Sequence, residues 1–188
     1  MMRQFLLSSF PSLQLQEPAP LKLEDVLSRC AQHLSETEIE ELSAVCATPP
    51  EGTSGFAEAW SMAWGEFKNL NDRERLKRLP PGSQETLPAD GPYRNDRLRT
   101  EVLRAWEAAD PLKREEALML AQWEWLDERR RSAPYSQDDL FGYALQLKLL
   151  EQRDAWDEET GLTQFAEQTD SFMNPLLETL RAKEELTA

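Results

Sequence analysis

Histidine and cysteine are scarce in this sequence, with His33 alone and Cys30 and Cys46 as the two thiols. A zinc or iron site needs several His, Cys or carboxylate ligands at close spacing, and neither cysteine stands at such a spacing from the histidine. Two thiols in 188 residues make no disulfide framework. Both fall in apolar-periodic segments, where a buried free thiol is the default. Glycine is also sparse, seven residues in all, whereas all-β architectures need many tight turns. Basic residues are outnumbered, 21 Lys and Arg against 35 Asp and Glu, for a net charge of −14. Nucleic-acid binding draws on cationic side chains that neutralise phosphates, so this balance disfavours it. No run of about 20 apolar residues occurs, which excludes a spanning helix. The apolar start at Phe5-Leu6-Leu7 stops at Ser8-Ser9, too short for a secretory core. Neither a G-x-x-x-x-G-K-[ST] nor a G-x-G-x-x-G phosphate cradle is found, and there is no G-x-S-x-G elbow.

What is abundant points to helices. Leu, Glu, Ala, Arg and Gln dominate, all good helix formers. Residues 4–15 read as a short extended segment, because Phe5, Leu7, Phe10, Leu13 and Leu15 partly alternate. A helix is expected over 21–34, with Leu23, Val26, Leu27, Cys30 and Leu34 on one face. Ser35 and Glu38 form a capping box that opens a second helix, with Ile39, Leu42, Val45 and Cys46 inward. Phe56, Trp60, Ala63, Trp64 and Phe67 make an aromatic stripe at helical spacing, and residues 72–79 are expected to follow after a break. Residues 80–92 hold four prolines and two glycines, so they read as a linker. Asn95 caps a helix over 96–109. Asp110-Pro111 starts a long helix over 111–131, Pro134 ends it, and Ser136 caps another that runs to 156. The last two are apolar on several faces and should pack antiparallel at the centre of the core, burying Leu118, Trp125, Ala144 and Leu147. Shorter helices are expected over 162–168 and from Asn174-Pro175 onward. The expected fold is an all-α bundle of one or two lobes with a short extended N-terminal segment. Its organisation is an N-terminal helical lobe over 1–79, a linker over 80–92 and a C-terminal helical lobe over 93–188.

Candidate chemistry is thin. Cys30 and His33 stand three apart and could touch on one helix, but no third group orients the histidine as a base. Glu36, Glu38, Glu40 and Glu41 cluster at a helix start, where carboxylates suit the positive end of the helix without any catalytic role. Arg129-Arg130-Arg131 could grip an acidic partner, and they equally suit the negative end of their helix. Of Trp60, Trp64, Trp106, Trp123, Trp125 and Trp156, most should be core. Trp123 and Trp125 point to different sides, so one can face a second lobe or a partner. No catalytic, cofactor-binding or metal-binding residue is assigned, and the chain is expected to work by binding proteins in the cytoplasm.

Several stretches carry a family resemblance. They are Met2-Arg3-Gln4-Phe5-Leu6-Leu7-Ser8-Ser9-Phe10-Pro11-Ser12-Leu13, Pro20-Leu21-Lys22-Leu23-Glu24-Asp25-Val26-Leu27, Asn95-Asp96, residues 110–128 and residues 139–152. Together they resemble a bacterial family whose genes commonly lie among those for V-type ATP synthase subunits. That family is in turn distantly similar to the C-type stalk component of V/A-type ATP synthases (d-type in eukaryotes), an all-helical funnel between the rotor shaft and the membrane ring. Residues 140–152, with Tyr143, Lys148 and Glu151, are similar to its recurring helices. The C-type funnel is much longer and three-lobed, so this chain matches only part of that shape. The resemblance implies a non-catalytic accessory or central-stalk component, with V-type ATP synthase subunits as partners and any membrane contact made through that complex. The alternative is a general helical adaptor or assembly factor unrelated to rotation.

Overall fold

The computed structural model describes residues 2–78 and 94–156. These form helices α1 (Met2–Ser9), α2 (Leu23–Ala31), α3 (Glu36–Val45), α4 (Gly55–Leu76), α5 (Asp96–Ala105), α6 (Pro111–Ser132) and α7 (Gln137–Asp154). No strand occurs among the described residues, so the fold is all-α. The chain divides into a compact unit over Met1–Glu151 and a second over Gln152–Ala188. Of the second unit the described part is the last turn of α7, where Arg153 pairs with Asp154, followed by an exposed Trp156. The 80–92 linker and the expected helices beyond residue 156 lie outside the described residues.

Local sequence sets most helix boundaries. The Ser35 hydroxyl accepts from the Glu38 N–H, and the Glu38 carboxylate accepts from the Ser35 N–H, closing the box at the start of α3. Ser54 caps α4, Asn95 caps α5, and Asp110 caps α6 with Pro111 directly after it. Between α3 and α4 the chain turns at Gly52, whose φ of 141° suits only glycine. A Cβ there would also stand 2.6 Å from the Ala57 Cβ.

Two expectations are corrected. The first residues are helical rather than extended. Leu6 and Phe10, four apart, are the buried pair, while Phe5 is 61% exposed. Helical spacing therefore outcompetes the apparent alternation, and Pro11 marks where the helix stops. There is also no break before Asp72, because α4 runs unbroken to Leu76. Asn71 is accommodated inside the helix by accepting from the Trp106 indole N–H at 2.9 Å.

The core brings α4, α6 and α7 together through aromatic rings. Phe56 lies edge-on to Trp125 and to Phe141, with centroids at 6.2 and 5.9 Å, and Trp60 lies 5.4 Å from Trp125. Leu118, Trp125, Ala144 and Leu147 are all buried, as expected. Helices α6 and α7 form an antiparallel hairpin. Arg130 meets Asp139 beside the elbow, Gly142 faces the Leu126 carbonyl further out, and Gln146 donates to the Trp123 carbonyl beyond that. Trp60, Trp106 and Trp125 are core residues, while Trp64 and Trp123 are half-buried against the core. The two-residue offset thus sends Trp125 inward and leaves Trp123 at the boundary.

Candidate functional site

Helix α7 is buried almost continuously from Asp139 to Leu150, and among those residues only Lys148 is half-exposed. A helix surrounded on all sides must find partners for its polar side chains, since an unpaired buried polar group is costly. Three of them reach backbone groups far away in sequence. The Tyr143 hydroxyl donates to the Pro11 carbonyl at 3.0 Å, and its ring stacks on Phe10 with centroids 5.2 Å apart. The Lys148 ammonium donates to the Cys46 carbonyl at 2.7 Å and to the Thr48 hydroxyl at 2.8 Å. The Glu151 carboxylate accepts from the Leu23 N–H at 2.8 Å. Lys148 thus stands at the negative end of α3 and Glu151 at the positive end of α2, where each charge is favoured and each satisfies an open helix terminus. Gln137, near the start of α7, donates to Glu41, which also accepts from the Ser54 N–H. One helix therefore holds the segment after α1 and the ends of α2 and α3.

The elbow between α6 and α7 borders an open cleft of about 500 Å³. One wall is Leu7, Ser8, Phe10, Pro11 and Ser12, and the other includes Asp127, Arg130, Arg131, Tyr135, Asp139 and Tyr143. Asp139 is the buried tie of the elbow. It accepts from the Arg130 Nε and from the Tyr135 N–H, both at 2.9 Å. Arg130 also donates to Gln146 and lies 5.2 Å from the centre of the Tyr143 ring. Tyr135 itself has a φ of 61°, a left-handed conformation that costs a side-chain-bearing residue about 1–2 kcal/mol. Its bond to Asp139 offsets part of that strain, and its ring stands 52% exposed at the rim.

The three consecutive arginines have internal partners. Arg129 lies 5.0 Å over the Trp125 ring, Arg130 joins Asp139, and Arg131 pairs with Asp127. Arg97 similarly spans Glu124 at 2.8 Å and Glu128 at 3.2 Å along the α5–α6 groove. At the end of α5, Trp106 is flanked by the guanidinium groups of Arg78 and Arg114, 4.5 and 4.4 Å from its centroid. These arginines donate to the Trp106 and Ala108 carbonyls, closing the C-terminus of that helix.

The remaining sequence candidates separate. Cys30 is buried, but α2 ends at Ala31 and leaves His33 exposed beyond it, with its ring against Phe5 at 5.9 Å. Cys30 therefore belongs to the core and His33 does not. Burial pushes the Cys30 thiol up to about 11 and the Cys46 thiol up to about 12, so both are neutral at pH 7. Burial likewise raises the Tyr143 hydroxyl to about 12, consistent with its work as a donor. The Glu38 carboxyl is lowered to about 2 by its bonds to the Ser35 N–H and hydroxyl and then by Arg3. Glu41 serves Ser54 and Gln137, and Glu36 and Glu40 face solvent. The four glutamates hence divide between capping, bridging and solvation. Among the described residues, no group of three or more His, Cys, Asp or Glu side chains could hold a metal ion. No helix among them is long and apolar enough to cross a membrane.

Tyr135, Asp139, Gln146 and the arginine pair on Trp106 do not stand out in the sequence. Ser136 and Asp139 do read as a helix start, but a carboxylate in that position normally faces solvent.

A family model described as a protein of unknown function (DUF2764) matches residues 96–174. Its described part covers α5, α6 and α7, the helices that build the elbow and the buried hub. No curated protein and no solved structure matches the chain.

Proposed function

We propose that this chain is a non-catalytic accessory or central-stalk component of a V-type ATP synthase, similar to the C-type funnel, acting in the cytoplasm through protein–protein contacts. The observation that carries the reading is the use made of α7. Residues 139–152 bear part of the resemblance to the funnel-like family, and Tyr143, Lys148 and Glu151 are the side chains with which α7 holds three separate segments. A part that transmits torque, or sets the fit between shaft and ring, needs a body that does not shear. Tethers at helix ends around a densely packed helix supply that resistance. The net charge of −14 suits docking onto a basic protein surface, so salt should slow association before it weakens the body itself.

Affinity-tagged full-length chain, expressed in its own cell, should recover soluble V-type ATP synthase subunits under gentle, low-salt conditions. The purified chain alone should hydrolyse no ATP. If no such subunit is recovered, and deletion of the gene leaves the ATP synthase intact and active, the reading fails. A general helical adaptor then takes its place.

A further inference from the structure

We draw no further inference here: the strongest candidate, the open cleft between the end of α1 and the α6–α7 elbow, carries nothing, because its Arg130–Asp139 and Arg131–Asp127 pairs are already closed on one another and nothing in the structure shows what covers it.

Discussion

Helices α6 and α7 look alike in sequence, yet they occupy different places. Both are long and leucine-rich, with apolar residues on several faces. In α7 every residue from Leu140 to Leu147 is buried, whereas α6 buries Leu118, Met119, Ala121, Trp125 and Leu126 and leaves Leu112 and Leu120 54% and 42% exposed. Apolar content does not distinguish them. The polar residues do. Three of those in α7, Tyr143, Lys148 and Glu151, reach across the fold to backbone groups more than a hundred positions away, at Pro11, Cys46 and Leu23. Those of α6 find partners nearer in the sequence: Arg131 pairs with Asp127 and Glu124 with Arg97 at the surface, Arg130 closes on Asp139 at the elbow, and Arg114 donates to the Ala108 carbonyl. What marks the central helix is that its polar side chains complete helix ends distant in the sequence, as Lys148 does for α3 and Glu151 for α2.

Truncating the two helices should separate them most sharply. Leu147→Ala in α7 should cost about 2–5 kcal/mol, as deletion of fully buried leucine side chains does. Leu120→Ala in α6 should stay within about 0.5 kcal/mol. Urea unfolding of each variant measures both, and equal losses would erase the distinction.

The charged tethers come next. Lys148→Met removes two charge-assisted bonds at the end of α3 and should cost about 1.5–3 kcal/mol. Arg131→Met breaks an exposed pair with Asp127 and should cost well under about 1 kcal/mol. A Lys148→Met variant as stable as Arg131→Met would mean that the tether holds nothing.

Glycines extend the comparison to close approach between helices. A Cβ on Gly142 would stand 2.5 Å from the Arg130 Cγ, and Arg130 is pinned by Asp139 and Gln146. Gly142→Ala should therefore lose about 1–3 kcal/mol to overpacking, more than alanine gains in helix propensity. Gly65 in α4 has open space around its Cβ position, so Gly65→Ala should gain about 0.5–1 kcal/mol. Thermal melts of the two variants should move in opposite directions.

The smallest effects are electrostatic. The Glu38 carboxyl is lowered from 4.5 to about 2 in the folded chain, so its contribution is present above pH 4.5 and is lost as pH falls toward 2. Glu38→Gln should flatten that part of the stability–pH curve. The thiols act at the other end. Cys30 and Cys46 rise from 9.0 to about 11 and about 12, so their neutral forms favour the fold below pH 9, and this is lost as pH rises through 11–12. Replacing Cys46 with Ala should make the alkaline limb shallower, checked by the same denaturant titrations above pH 9.

Much of the fold can be read from residue order, because the signals are local. Ser35 with Glu38, Asn95, and Asp110 with Pro111 each act within one turn, and each cap forms where its residues predict it. The first helix escapes such a reading because Phe5 and Leu7 suggest a period of two, whereas its anchors are Leu6 and Phe10. His33 falls on a core face only if α2 continues past Ala31, where it stops. The cleft is not legible at all. Its walls come from residues 7–12 and 127–143, and the left-handed Tyr135 donates its N–H to Asp139, which Arg130 holds in turn. Such sites depend on tertiary contacts, which no local pattern encodes.

Native-state hydrogen exchange tests the central claim, that α7 is the axis on which the body of the chain is held. The amides of Leu140 to Leu150 should exchange only through global unfolding, with free energies equal to that from denaturant titration, while the first turns of α6 around Leu112 exchange faster. In Lys148→Met, protection should fall in α3 as well as in α7. Exchange of the Leu140–Leu150 amides by local opening, at rates matching the exposed part of α6, would contradict the account.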